Sequence, residues 1–569
     1  MAQKGAKQDV ISSIRFYVDK IVSDPSLGGM KALLLDSATT KIVSMVYSQT
    51  QILEKEVYLV EQLGKKHEGM NHLKAALFIQ PTEANFELLV KELKEPRFKE
   101  YHLFFSNILP ADMLARLGRL DELDLIMQVQ EYYGDYMAIN EEFFHLGIDN
   151  SLILSSSYAR SIEAVAIYER NVSGILSVLL SMKRSPSLIR YQGSSELARR
   201  LATDISSAIE KESGLFDFRR QEGPLLLILD RCDDPVTPLL TQWTYQAMVH
   251  ELLGLNNNRV LLKGAPNISK ELEEVVLSPT QDEFFAKNRF ANFGDLGAAV
   301  KALLEEYQRY AKKNENINSI EDMQNFMERY PDFRSKSINV SKHVAVISEL
   351  SRLTDVCQLL DISELEQEVS CSNDHSLHKQ ELTTRIRNPK VKNADKLRLA
   401  LLYLIRYESY NEIREIKTML ADRGLNNQQL SLLDAVLAYA GEAKRSSGLF
   451  SSGSIMAKLG KTFSNAVRGA ENVYTQHQPL LFHTLDSLAK GKIKDAAFPP
   501  LTTNATTAAP GGRPAEVLVF MVGGATFEEA TKVAECNAAN PAMRVILGGS
   551  CVHNSTSFLK EIGSAFGGR

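Results

Sequence analysis

Cysteine is scarce and scattered. The chain of 569 residues holds five, Cys232, Cys357, Cys371, Cys536 and Cys551. None forms a CxxC pair, which excludes a disulfide framework and a thiolate zinc site and points to the reducing cytosol. Long apolar runs are missing too. Nothing approaches the roughly 18 residues that span a bilayer, and the start MAQKGAKQDVISSIRFYVDK has no signal-peptide core. Neither sign of charge dominates, with Lys+Arg 65 against Asp+Glu 70 and a net charge of -5. The chain therefore lacks the positive field that draws in phosphate backbones, and nucleic acid is not an expected partner. Neither GxGxxG nor GxxxxGK[ST] occurs, so the usual glycine-rich cradles for dinucleotides and triphosphates are absent.

What is present is an ordinary globular composition, 44% hydrophobic and 24% charged, at a length that calls for several domains. Short apolar runs alternate with helical patterns: KALLLD (Lys31 to Asp36), EVYLV (Glu56 to Val60), AALFI (Ala75 to Ile79) and HLFF (His102 to Phe105). Such runs predict a parallel sheet covered on both faces. A second set, SLIRY (Ser187 to Tyr191) and PLLLILD (Pro224 to Asp230), resumes near the C-terminus as EVLVFMVGG (Glu516 to Gly524) and RVILGG (Arg544 to Gly549). Pooling these strands gives one discontinuous α/β domain with a helical insertion. In the insertion, Ile347, Leu350, Leu353, Cys357 and Leu360 share a helical stripe. Ser363 and Glu366 have capping-box spacing, which predicts a helix start. SSGLFSSGS (Ser446 to Ser454) and TTNATTAAPGGRP (Thr502 to Pro514) read as loops.

Asp230, Asp233 and Asp234 follow an apolar strand, and Gly523 and Gly524 follow another. Three carboxylates with a glycine turn could hold magnesium or a nucleotide, which makes a nucleotide- or metal-dependent α/β enzyme the alternative reading. The local reading is that Asp234-Pro235 and Thr237-Pro238 start a helix carrying Trp243 one turn in, and that the glycines serve tight turns. In ADMLARLGRLDELDLIMQVQEYYGDY, Leu114, Leu117, Ile126 and Val129 fall on expected helix faces, followed by Glu131. They form either a packed helix or part of a groove for a short peptide.

At LLLILDRCDDPVTPLLTQWTYQAMVHELLG the chain resembles the SM (Sec/Munc-like) family of syntaxin-binding membrane-fusion regulators. The likeness extends through KALLLDSATTKIVSMVYSQTQILEKEVYLVE, KHVAVISELSRL, RGAENVYTQHQP and VFMVGGATFEEA. The runs VQEYYGDY and ENVYTQHQP resemble the branch serving the trans-Golgi network and endosomes. The resemblance implies an arch of an N-terminal α/β domain (1–135), a second α/β domain (136–236 with 478–569) and an inserted helical domain (237–477). It implies binding of a Qa-SNARE of the syntaxin class, one-to-one, by a monomer without catalysis, cofactor or metal, cytoplasmic and held at membranes only through SNAREs. It places the SNARE's N-terminal peptide on Leu114, Leu117, Ile126, Val129 and Glu131, and an inner SNARE-binding cleft at Ser48, Glu54 and Glu61. A SNARE-contacting helical hairpin is expected near Ile317 to Arg334, with Pro331 as a break that lets it bend.

Overall fold

The computed structural model describes residues 9–65, 68–218, 223–266, 268–315, 320–446, 449–450, 473–501 and 513–567, with backbone alone over 312–315 and 320–332. Most of the two loops expected at Ser446 to Ser454 and Thr502 to Pro514 lies outside these residues. The chain divides into two compact units. The first comprises Met1–Arg231, Leu481–Ala525 and Lys532–Val552; the second comprises Cys232–Leu480, Thr526–Thr531 and His553–Arg569.

The first unit contains two sheets. Strands β1 (Lys31–Leu35), β2 (Val57–Gln62), β3 (Met70–Ile79), β4 (Phe98–Phe105) and β5 (Ile126–Glu131) form an all-parallel sheet in the order β2-β1-β3-β4-β5. The C-terminal halves of its inner strands β3 and β4 are buried because helices cover both faces, and β1 is buried at every position. The helices α1 (Val10–Val22), α2 (Ser37–Val46), α3 (Gln49–Leu53), α4 (Glu83–Lys94) and α5 (Ala111–Leu120) supply the cover and connections. Asp36 ends β1 and starts α2. One carboxylate oxygen accepts the N–H groups of Ala38 and Thr39, both at 2.7 Å, while the other accepts the Asn85 amide at 2.7 Å. The residue is thereby committed to capping.

The second sheet combines β6 (Met137–Asn140), β7 (Phe143–His145), β8 (Leu188–Tyr191) and β9 (Leu225–Asp230) with β10 (Glu516–Val522) and β11 (Arg544–Gly549). Their order is β6-β7-β11-β10-β9-β8. Leu225–Asp230 pairs in parallel with Val517–Val522, so residues nearly 300 positions apart share one core. Helices α6 (Ile162–Ser181) and α7 (Glu196–Lys211) belong to this half. Asp135 ties the two sheets together. Its carboxylate accepts hydrogen bonds from Gln80 beyond β3 (2.6 Å) and Asn107 beyond β4 (2.9 Å), and pairs with Arg170 of α6 at 3.2 Å.

The second unit is mainly helical: α8 (Tyr245–Leu252), α9 (Glu283–Asn288), α10 (Phe293–Glu315), α11 (Ile320–Val356), α12 (Leu359–Cys371), α13 (His375–Arg387), α14 (Asn393–Arg406), α15 (Ile413–Ala421) and α16 (Asn427–Ala440). An antiparallel ribbon of Arg259–Leu261 with Glu274–Val276 is the strand pairing that the apolar pattern did not reveal. Helices α10 and α11 form a hairpin, joined where Phe333 stacks near Tyr310 at 6.2 Å and lies 5.8 Å from Tyr307. The linking residues fall outside the description. Helix α11 continues through Pro331, so the expected break does not end the helix.

Three further expectations are corrected. Ser363 and Glu366 do not start a helix: α12 begins at Leu359, and both side chains face inward. The Ser363 hydroxyl accepts the Trp243 indole N–H at 2.8 Å, and Glu366 accepts the Thr241 N–H at 2.7 Å. Buried polar partners fix these residues where capping spacing alone suggested a boundary. The helix expected at Thr237 is a single 3-10 turn, Thr237–Leu239, and Trp243 precedes α8. Leu360 leaves the apolar stripe because α11 stops at Val356 and Gln358 adopts a left-handed φ of 53°.

Acid sensitivity is built into this unit. Asp282 accepts the Nε2–H of His343 at 2.9 Å and pairs with Lys342, while the Tyr245 hydroxyl lies 2.9 Å from His343 Nδ1. Burial pushes the Asp282 carboxyl up, but His343 and Lys342 outweigh it and hold the pKa at about 2. A depressed carboxyl stabilises the fold above its unfolded value near 3.8 and loses that contribution as pH falls through the folded value. Urea unfolding is expected to show about 2 kcal/mol lost between about pH 4 and pH 2. Asp282→Asn should remove that portion of the slope.

Candidate functional site

Two opposite edges of the five-stranded sheet hold the candidate residues. At one edge, Pro110 precedes α5, with Asp112 in the first turn and Arg119 in the last, both favourable to the helix dipole. Met113 and Leu117, four residues apart, point inward. Leu117 is only 2% exposed and belongs to the core with Phe86, Leu89 and Leu103. Leu114 points outward and is 48% exposed. Asp121 then turns the chain by accepting the N–H groups of Leu125 at 2.8 Å and Ile126 at 3.0 Å, which launches β5.

Ile126 and Val129 therefore lie on a strand, not on the helix that the sequence suggested. They are half-buried, packed against the core that contains Met113 and Leu117. One side of β5 pairs with β4, and among the described residues no strand pairs with its other side. Glu131 ends the strand with both oxygens engaged, accepting the Leu109 N–H at 2.7 Å and the Tyr133 hydroxyl at 2.8 Å. Burial, followed by the hydrogen bond to Glu131 and then its charge, raises the Tyr133 pKa. Glu131 thus fixes the start of α5 relative to the end of β5.

The result is an apolar ledge where α5 and β5 cover one core, beside a strand edge unpaired among the described residues. Such an edge offers backbone donors and acceptors to an extended peptide, while the half-buried side chains offer places for its anchors. Met127 and Leu123, also exposed at this end of the sheet, were not singled out in the sequence. Reading β5 as a helix obscured them, and its half-buried, irregular register shows no clear alternation.

At the other edge, Ser48 caps α3: its hydroxyl accepts the Gln51 N–H at 3.3 Å, and the Gln51 side chain accepts the Ser48 N–H at 3.0 Å. Glu54 closes the same helix and is exposed. Glu61 lies on edge strand β2 but is only 9% exposed, with a carboxylate oxygen 3.8 Å from Arg97, whose guanidinium also pairs with Glu92 at 2.7 Å. Of the three, Glu54 is the one whose side chain stands open to a partner.

The residues of the enzyme alternative are occupied with their own chain. Asp230 accepts the Ser195 hydroxyl at 2.6 Å. Asp233 accepts the Ser446 N–H at 2.6 Å, and Asp234 accepts the N–H groups of Thr237 at 2.9 Å and Leu480 at 3.1 Å. Gly523 and Gly524 adopt φ of 88° and 98°, which only glycine tolerates readily, and the Gly523 N–H is donated to Ser550. These contacts account for the motif as turn and cap chemistry.

Two parallel-sheet α/β parts with an inserted helical part, and an edge strand unpaired among the described residues beside an amphipathic helix, define a scaffold of the SM type. The chain belongs to the Sec1 family, whose model matches residues 31–561. It is 45% identical over 559 residues to human vacuolar protein sorting-associated protein 45, covering 97% of this chain and 96% of that one. The budding-yeast (Saccharomyces cerevisiae) protein of that name is 34% identical, covering 97% and 98%. A solved structure of the SM protein Vps45 in complex with the Qa SNARE Tlg2 superposes with a TM-score of 0.89 at 42% identity, covering 98% of each chain. Sly1p, solved with an N-terminal peptide of Sed5p, shares the fold at 17% identity and a TM-score of 0.76.

Proposed function

We propose that this protein binds a Qa-SNARE of the syntaxin class and promotes SNARE assembly during vesicle docking and fusion, in transport among the trans-Golgi network, endosomes and vacuole. The observation that carries this reading is the near full-length likeness to a Vps45 solved with its Qa SNARE. It is a binder and not an enzyme, cytoplasmic and peripheral to those membranes, acting as a monomer in a one-to-one complex. No helix among the described residues is long and apolar enough to cross a membrane, which fits recruitment through a membrane-anchored partner.

In this reading residues 1–135 hold the SNARE's N-terminal peptide, residues 136–236 with 478–569 form the second α/β domain, and residues 237–477 present the hairpin to SNARE helices. The peptide lies along β5, with Leu114, Ile126 and Val129 meeting its apolar anchors. Leu117 and Glu131 support the ledge from beneath. At the opposite edge, Glu54 contacts the SNARE core, while Ser48 and Glu61 hold the backbone that presents it. Leu114→Arg puts a charge on the ledge without touching the core. Its binding of a synthetic Qa-SNARE N-terminal peptide should weaken by about tenfold or more, with an unchanged melting temperature. Undiminished peptide binding would move the site elsewhere.

A further inference from the structure

Helix α1 carries an aromatic ring on its outer face that the core does not use. Phe16 is 43% exposed, although its neighbour Tyr17 is buried and stacked on Tyr132 at 5.1 Å. The ammonium of Lys20, one turn along α1, lies 5.6 Å from the Phe16 ring centroid, and that of Lys183, just beyond α6, lies 5.8 Å from it. Neither lysine makes an ion pair among the described residues. Beside them, Arg15 and Lys55 flank the ring of Tyr47 at 5.4 Å and 5.6 Å. The carboxylate of Asp19 on this helix is held by Lys55 at 2.5 Å. Around Phe16 the face therefore combines a protruding ring with the two ammonium groups of Lys20 and Lys183, although the chain as a whole is negative.

We propose that this face of α1 contacts an anionic lipid surface, Phe16 entering the headgroup layer while Lys20 and Lys183 meet lipid phosphates. Aromatic rings suit the boundary between water and hydrocarbon, and flanking lysines reach out to phosphate while their stems stay with the apolar part. Two lysines and one ring bind weakly alone, which suits a contact that orients a protein already tethered by its partner. The inference goes beyond the proposed function, in which the membrane is reached through the SNARE alone.

The test is flotation of the full chain with SNARE-free vesicles of phosphatidylcholine containing about 30% phosphatidylserine, beside pure phosphatidylcholine, at low salt. Binding is expected only to the anionic vesicles. It should fall about fivefold for each of Lys20→Gln and Lys183→Gln, fall again in Phe16→Ser, and fade as salt rises. Melting temperatures should stay unchanged, because all three side chains are solvent-facing. Equal binding by parent and double lysine variant, or no binding by the parent, overturns the proposal. If the parent ignores vesicles but the same substitutions weaken binding to a soluble Qa-SNARE, the face is a protein contact and the lipid proposal falls. Because the vesicles carry no SNARE, failure here leaves the SNARE-binding reading standing.

Discussion

Arg398→Met is expected to destabilise the helical unit by about 3–5 kcal/mol, the cost of stripping the partner from a buried charge. Arg398 lies on α14 and is buried, with its guanidinium 3.0 Å from Glu366 and 2.8 Å from Asp395. It also donates to the Leu239 carbonyl at 2.7 Å. Burial alone would lower its pKa, but the carboxylates of Glu366 and Asp395 outweigh that and raise it, so the group stays charged. Methionine matches much of its volume and removes every donor. Glu366, with no exposure at all, is then left with Thr241 as its remaining hydrogen-bond donor in this cluster. Arg398→Met combined with Glu366→Met should recover part of the loss, because an apolar pair of similar volume can replace a buried ion pair at little cost. Urea denaturation followed by circular dichroism reads both variants; a single variant as stable as the parent would show the cluster to be dispensable.

Leu117→Arg is expected to cost at least about 4 kcal/mol, because it forces an unpaired charge into the core beneath α5. Leu117→Ala should cost about 2–5 kcal/mol through the cavity alone. Both changes should reduce peptide binding, by loosening the first sheet rather than by removing a contact. Leu114→Arg, three residues away on the outer face, should also weaken peptide binding, by about tenfold or more, but at constant stability and by removing a contact. A Leu117→Arg protein with the parent's melting temperature would contradict the burial on which this contrast rests.

The inner strands were legible from sequence because both of their faces are buried: KALLLD, AALFI and PLLLILD read as unbroken apolar runs. The remote pairing of Leu225–Asp230 with Glu516–Val522 was also inferable, since neither half has strands enough for a sheet alone. Edge strand β5 was not. IMQVQE is half-buried, flanked by the polar turn DELD, and its apolar residues at 126 and 129 match a helical spacing of three. Strands β6 and β7 are four and three residues long, too short to show a period. Ser363 and Glu366 misled for another reason: the residue types that cap helices are also those that satisfy a buried indole and a buried guanidinium. Of the two candidate sites, the proposed peptide ledge came from family resemblance, and the structure separates its exposed residues from its buried ones. Periodicity assigned Leu114 and Leu117 alike to one helix; burial tells them apart.

The central claim is Qa-SNARE binding, and calorimetric titration with the full cytosolic region of a syntaxin-class Qa-SNARE tests it most directly. Three titrations suffice: the parent protein, the parent with a SNARE lacking its N-terminal peptide, and Leu114→Arg with the complete SNARE. One-to-one binding by the parent is predicted, weakened to a similar extent by removing the peptide and by Leu114→Arg. Binding that is tight and indifferent to both changes would place recognition away from the ledge, and no heat from any syntaxin-class SNARE would contradict the account itself.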